Sequence, residues 1–364
     1  MTERARQWLT LVDVIAESVG ERDPLTFVLG AGASLSSGAP SSARVERRWM
    51  ESDPTSFPDR QSLLERIGEL GDSQKINPIR SLFESVRPFI GYHCLASLAH
   101  ARPVFVINLN WDDALEQACQ AISVPFRHLT VDRKGDLVVN EEQEGEHKVI
   151  TGRELNDQEP GLLTAPSAPG VYCLQVHGKL DDPVSGIRFG IYHTLQFTPL
   201  VKRVLVKRFF THPTVVVGAS LRGEYDVVDL LRTLTEDSSE LPGRLSPFFV
   251  FSRQETRTSD PTDKLMQHVL FKRSSEPNFR GDPAVDFDRL LLDLATRIQG
   301  SEFGSAFSKS ASVPSLEELV LPSPKALIWT SVCQVPSTGC PRLGGHPGRS
   351  RGRRAWRVRD ARSG

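Results

Sequence analysis

The sequence predicts an α/β protein built on a doubly wound parallel sheet. Three features lead there: five short apolar runs, amphipathic stretches between them, and polar or glycine residues where the runs end. The runs are LTFVLG (25–30), PVFVIN (103–108), VYCLQVHG (171–178), TVVVGASL (214–221) and PFFVFSR (247–253). They are continuously apolar rather than alternating, as strands covered on both faces must be.

The intervening elements read in order. Trp8, Leu11, Val12, Ile15 and Val19 recur at helical spacing from Arg4 to Val19, before Pro24 stops the pattern. Residues 42 to 101 are helical by composition, with breaks expected at Asp53-Pro54 and Asn77-Pro78. Leu115, Ala118 and Cys119 mark a helix between Trp111 and Ala121; further helical stretches fall at 200–210 and 226–235. Residues 131 to 169 are polar and proline-bearing, and read as an insertion rather than core. Phe287, Leu290, Leu291, Leu294 and Ile298 line one side of a last helix, Asp286 to Ile298. The expected organisation is a domain over 1–300, a linker over 301–321 and a Pro/Gly/Arg-rich tail over 322–364, disordered or a truncated or out-of-frame end.

With 364 residues, 39% apolar and 24% charged, the chain is long enough for one large α/β domain. The opening MTERARQWLTLVDVIAESV is too charged for a signal peptide or a membrane span, which points to a cytoplasmic protein without a membrane partner. Cys94, Cys119, Cys173, Cys333 and Cys340 are odd in number and never spaced C-x-x-C, so neither disulfides nor a metal site are expected. The tail holds nine basic residues against the single acid Asp360, while residues 1–321 hold 35 basic and 44 acidic residues. An acidic body is not built to lie along a nucleic acid; any such contact is left to the tail or is indirect.

Four strand ends could carry chemistry. A strand followed by Gly30-Ala31-Gly32-Ala33-Ser34 and then a helix offers backbone N–H groups to a dinucleotide pyrophosphate. Leu35 stands where a hydride-transfer fingerprint has its third glycine, no acidic strand end follows, and there is no P-loop Gly-Lys-Ser/Thr. Asn108-Leu109-Asn110-Trp111-Asp112-Asp113 closes the second run; it suits a ligand, or equally an Asx turn capping the next helix. His177-Gly178 closes the third, with no metal-ligand spacing among the nine histidines, so His177 would act as an acid/base. Gly218-Ala219-Ser220 closes the fourth, with Asp226 opening the next helix. In a parallel sheet all four ends share one edge.

The order GAGAS-x-x-SGAP, N-W-D, H-G and VVGASL resembles the sirtuin-like family, a Rossmann-like fold, over residues 10 to 300. The four-cysteine zinc module of sirtuin deacylases has no counterpart. Their Asp-Phe-Arg is replaced by Ser41-Ser42-Ala43, and the spacing from Asn110 to His177 is longer. The chain is therefore more similar to bacterial sirtuin-like NAD hydrolases, which act in antiphage defence.

That resemblance implies NAD as substrate without a metal, and a homo-oligomer or a defence partner encoded nearby as the gate. It implies Asn110 and His177 as catalytic residues. It also implies Gly30, Ala31, Gly32, Ser34, Ser37, Asp112, Gly218, Ser220 and Asp226 around the dinucleotide. Because the pyridinium leaves as neutral nicotinamide, no glycosidase-type pair of carboxylates is required. The alternatives are an NAD or ADP-ribose sensor, and a sirtuin-type deacylase or ADP-ribosyl transferase.

Overall fold

The computed structural model describes residues 3–19, 24–131, 137–143, 146–151, 168–180, 182, 186–189, 213–219, 248–252, 279–280 and 283–300. The described residues belong to a unit spanning Met1–Leu319. Its strands are β1 (Leu25–Leu29), β2 (Pro103–Asn108), β3 (Phe126–Val131), β4 (Leu137–Gln143), β5 (Glu146–Thr151), β6 (Gly170–Gln175), β7 (Thr214–Val217), β8 (Phe248–Ser252) and β9 (Phe279–Arg280). They form one sheet in the order β5-β4-β3-β6-β2-β1-β7-β8-β9. Every pairing from β3 across to β9 is parallel; β4 and β5 add an antiparallel hairpin at one edge.

The chain leaves β1 toward β2 on one side, and β7 leads to β8 on the other. The winding therefore reverses between β1 and β7, the doubly wound arrangement, and that is where open α/β sheets leave a ligand crevice.

Helices α1 (Glu3–Glu17), α5 (Ile90–Leu98), α6 (Ala114–Ala121) and α7 (Pro283–Gln299) bury their apolar sides in the main core with β1, β2, β6 and β7. A smaller core of Val45, Trp49, Leu63, Ile67, Ile76 and Ile79 joins α2 (Ser42–Ser52), α3 (Arg60–Arg66) and α4 (Asp72–Ile79). This helical module packs against Trp111, Leu180, Ile187 and Phe189, the residues that follow Asn110 and His177. Trp49 closes it by donating its indole N–H to the Lys75 carbonyl at 2.7 Å.

Two expectations change. The insertion at 131–169 contributes β4 and β5, and Val138 is buried, because its Leu137-Val138-Val139 and Val149-Ile150 segments have strand character among polar residues. The breaks expected near Asp53-Pro54 and Asn77-Pro78 fall where α2 ends at Ser52 and α4 at Ile79; Pro78 lies inside the last turn of α4, where only one intrahelical bond is forfeited, and its carbonyl accepts Arg48 Nε at 3.0 Å. The glycine turn runs into a single 3₁₀ turn, Ala31–Ser34, and α2 begins only after Ser41. The helical stretches expected at 200–210 and 226–235, the linker and the tail lie outside the described residues.

Asp288 ties α7 to the start of α5 by accepting the Gly91 N–H at 2.8 Å. Burial pushes its carboxyl up to about 6, against the pull of the Gly91 N–H. The folded value lies above the unfolded one of about 3.9, so the stability it contributes is complete below about pH 4 and lost as pH rises through about 6. Asp288→Asn is expected to remove on the order of 2 kcal/mol of this pH dependence. Urea unfolding at about pH 4.5 and about pH 7 measures it; an unchanged slope against pH would assign the dependence to other groups.

Candidate functional site

The carboxyl ends of β1, β2, β6 and β7 meet through direct contacts, and glycine makes the closest of them possible. Gly30 N–H donates to the Val217 carbonyl at 3.1 Å and Gly32 N–H to the Gly218 carbonyl at 2.9 Å. A Cβ on Gly30 would stand 2.5 Å from Ala219 Cα; one on Gly218, whose φ is +69°, would stand 2.3 Å from the Ala33 nitrogen. The two turns are thus a backbone-to-backbone joint across the β1/β7 crevice. This corrects the expectation for Gly30 and Gly32: their N–H groups are taken by β7 and its turn rather than offered to an anion.

On the other side of β1, the end of β2 folds back onto the same turn. Asn110 Nδ2 donates to the Gly30 carbonyl at 3.0 Å and to Ser34 Oγ at 3.1 Å. Both amide hydrogens are therefore used, and Asn110 presents Oδ1, which makes no hydrogen bond among the described residues. Its own N–H is held by Asn108 Oδ1 at 3.1 Å.

Ser34 is buried and its hydroxyl also meets the Tyr92 hydroxyl at 2.6 Å. Asp112 is buried beside it. Burial raises the Asp112 carboxyl, while the Ser34 hydroxyl and the Ala114 N–H, 3.2 Å from Oδ1, favour its ionised form. Asp112 thus ties down the start of α6, as the Asx-turn reading of this segment expects.

His177 follows β6 by two residues and is buried. Its Nδ1 lies 3.3 Å from the Leu109 carbonyl, a group that only accepts, so Nδ1 carries the hydrogen and Nε2 is the basic nitrogen. The Leu109 N–H in turn reaches the Leu29 carbonyl at 2.8 Å, which ties His177 to β1 through β2.

Ser37 is buried, and its Oγ accepts the Phe89 N–H at 3.1 Å, leaving its O–H as a donor. Ala31 is half-buried at the head of the 3₁₀ turn. Ser220 and Asp226 lie outside the described residues.

Two site residues escape a reading of strand ends. Gln175 donates to the Asn110 and Asp112 carbonyls at 3.3 and 3.2 Å and accepts from His128 Nε2, bracing the N-W-D turn from β6. A polar residue inside the apolar run VYCLQV was its signal, because a buried amide must find partners. Tyr92 carried no such signal, since an aromatic residue on an apolar helix reads as core.

Among the described residues no cluster of His, Cys, Asp and Glu is arranged to hold a metal ion, and no helix is long and apolar enough to cross a membrane. No family model and no curated protein matches the chain. Solved structures do. One is a Sir2 enzyme described for its mechanism and regulation, at 15% identity over 82% of this chain and 98% of that one, with a TM-score of 0.41. Another is a mutant Sir2 homologue in complex with 2′-O-acetyl ADP-ribose, at 16% identity over 83% and 99%, TM-score 0.41. A third is a Sir2 homologue with NAD, at 16% identity over 79% and 94%, TM-score 0.41. A likeness at this score assigns no residue a role; the chain's own sheet order defines its fold as a doubly wound α/β sheet.

Proposed function

We propose that the chain is an NAD glycohydrolase of sirtuin-like type, cleaving the bond between nicotinamide and ribose to give nicotinamide and ADP-ribose. The observation that carries the reading is the Asn110 amide, which binds Gly30 and Ser34 and so locks the GAGAS and N-W-D motifs into one site. His177 joins them through the Leu109 carbonyl. These are the motifs whose order resembles the sirtuin-like family, and their contacts were not part of that resemblance.

In this reading Asn110 Oδ1 accepts from the attacking water or a ribose hydroxyl. His177 Nε2 takes the proton released as the water oxygen bonds the ribose carbon. The electron pair of the broken bond neutralises the departing nicotinamide nitrogen, so no acid is needed at the leaving group. Gly30, Gly32 and Gly218 serve by backing the site closely, and Ala31 lies at its rim. In the same reading Ser34 and Asp112 line the nicotinamide side, the Ser37 O–H donates to a phosphate oxygen, and Ser220 and Asp226 serve the adenosine half.

A regulated NAD-depleting effector in phage defence, gated by self-assembly or a partner, follows from the same resemblance. Purified full-length protein incubated with NAD is expected to form nicotinamide and ADP-ribose in equal amounts, with no dependence on an acyl-lysine peptide. NAD binding without either product would instead make this a sensor, and deacylated peptide would make it a deacylase.

A further inference from the structure

Tyr92 lies on α5 with its ring wholly buried, edge-on to Phe287 of α7 at 5.1 Å between centroids. From there it cannot reach a ligand, yet its hydroxyl touches Ser34 Oγ at 2.6 Å. Ser34 Oγ also accepts from Asn110 Nδ2 at 3.1 Å, so a single serine oxygen joins the phenol to the amide.

We infer that Tyr92 is a positioning residue for the chemistry at Asn110. Its hydroxyl holds the Ser34 Oγ that accepts one Asn110 Nδ2 hydrogen, while the Gly30 carbonyl accepts the other. A flipped amide would set Oδ1 against that carbonyl, so a Ser34 oxygen fixed by Tyr92 keeps the Nδ2 side in place and Oδ1 facing away. The aromatic packing against Phe287 and the burial of the whole ring hold the phenol where only its hydroxyl meets the site. Tyr92 thereby sets the orientation of a catalytic amide it does not share with the ligand. The inference rests on the hydrolase reading of this site.

Tyr92→Phe keeps the ring and removes the hydroxyl. It is expected to lower kcat for nicotinamide release about tenfold or more while KM for NAD stays within about threefold. Ser34→Ala is expected to do the same, and Tyr92→Phe in the Ser34→Ala background to add almost nothing, because the contact it removes is already gone. Equal losses in both backgrounds, or a Tyr92→Phe enzyme with wild-type kcat, would overturn the inference.

Protein labelled with ¹⁵N-asparagine tests the junction without turnover. The Asn110 Nδ2 hydrogens, assigned by their disappearance in Asn110→Asp, are expected to exchange slowly with water in wild type and at least about tenfold faster in Tyr92→Phe. Equal exchange overturns the inference even in an inactive protein. Wild-type protein that releases no nicotinamide while Tyr92→Phe speeds exchange overturns the hydrolase reading alone.

Discussion

Gly218→Ala is expected to destabilise the protein by on the order of 4 kcal/mol and to abolish NAD turnover in whatever remains folded. Two costs coincide. An L-residue at φ +69° is strained by about 1–2 kcal/mol, and its methyl would stand 2.3 Å from the Ala33 nitrogen, where backbone rather than a flexible side chain must give way. The atoms displaced belong to the turn that carries Ser34 and binds Asn110, so damage to stability and to the site should arrive together. Gly38 supplies the control. It has φ +88°, but the nearest atom to an added Cβ is 3.6 Å away, so Gly38→Ala should cost only the strain of about 1–2 kcal/mol. Denaturant unfolding of both variants checks the contrast; similar losses would mean that the β1/β7 joint is not a tight one.

His177→Ala is expected to reduce nicotinamide release by about 10²–10⁴-fold, the usual range for removing a general base. Asn110→Ala should fall as far and also lose about 1–3 kcal/mol of stability, because two buried hydrogen bonds, to the Gly30 carbonyl and the Ser34 hydroxyl, are removed together. In the proposed mechanism the two side chains serve the same step, so the double variant should be little worse than either alone. Rates multiplying as if independent would place them in separate steps. An unaffected His177→Ala enzyme would remove His177 from the reaction.

The parts of this molecule that were legible in its sequence are those where burial leaves an unbroken mark. β1, β2, β6 and β7 are buried along their whole length and are apolar but for Thr26, Asn108, Gln175 and Thr214, and α7 shows its stripe of Phe287, Leu290, Leu291 and Leu294 because that side lies in the core. β3 was not legible. Arg127 and His128 sit half-buried in its first half, so Phe126–Val131 lacks both a continuous and a cleanly alternating pattern. The β4–β5 hairpin was hidden likewise, as an edge pair that needs little apolar surface to find its partner.

At the site, the residues at strand ends could be named because a parallel sheet brings its carboxyl ends together whatever the loops do. What they do to one another could not be read. The spacing G-x-G suits an anion cradle and a close backbone joint equally well, and only the register of β7 beside β1 decides that Gly30 and Gly32 serve the joint. Tyr92 is the sharper case. Its sequence neighbours Ile90, Gly91, Cys94 and Leu95 are all buried, and only the fold reveals that one oxygen among them faces a serine 58 positions away.

The central claim is that NAD lies along this edge with its nicotinamide ribose at Asn110 and His177. A crystal structure of His177→Ala with NAD tests it most directly, since the variant should bind the substrate and leave it intact. The account predicts a ribose hydroxyl or an ordered water within hydrogen-bonding distance of Asn110 Oδ1, with the nicotinamide on the Ser34 and Asp112 side. NAD bound elsewhere on the chain, or a site that stays empty at NAD concentrations well above its cellular level, would contradict it.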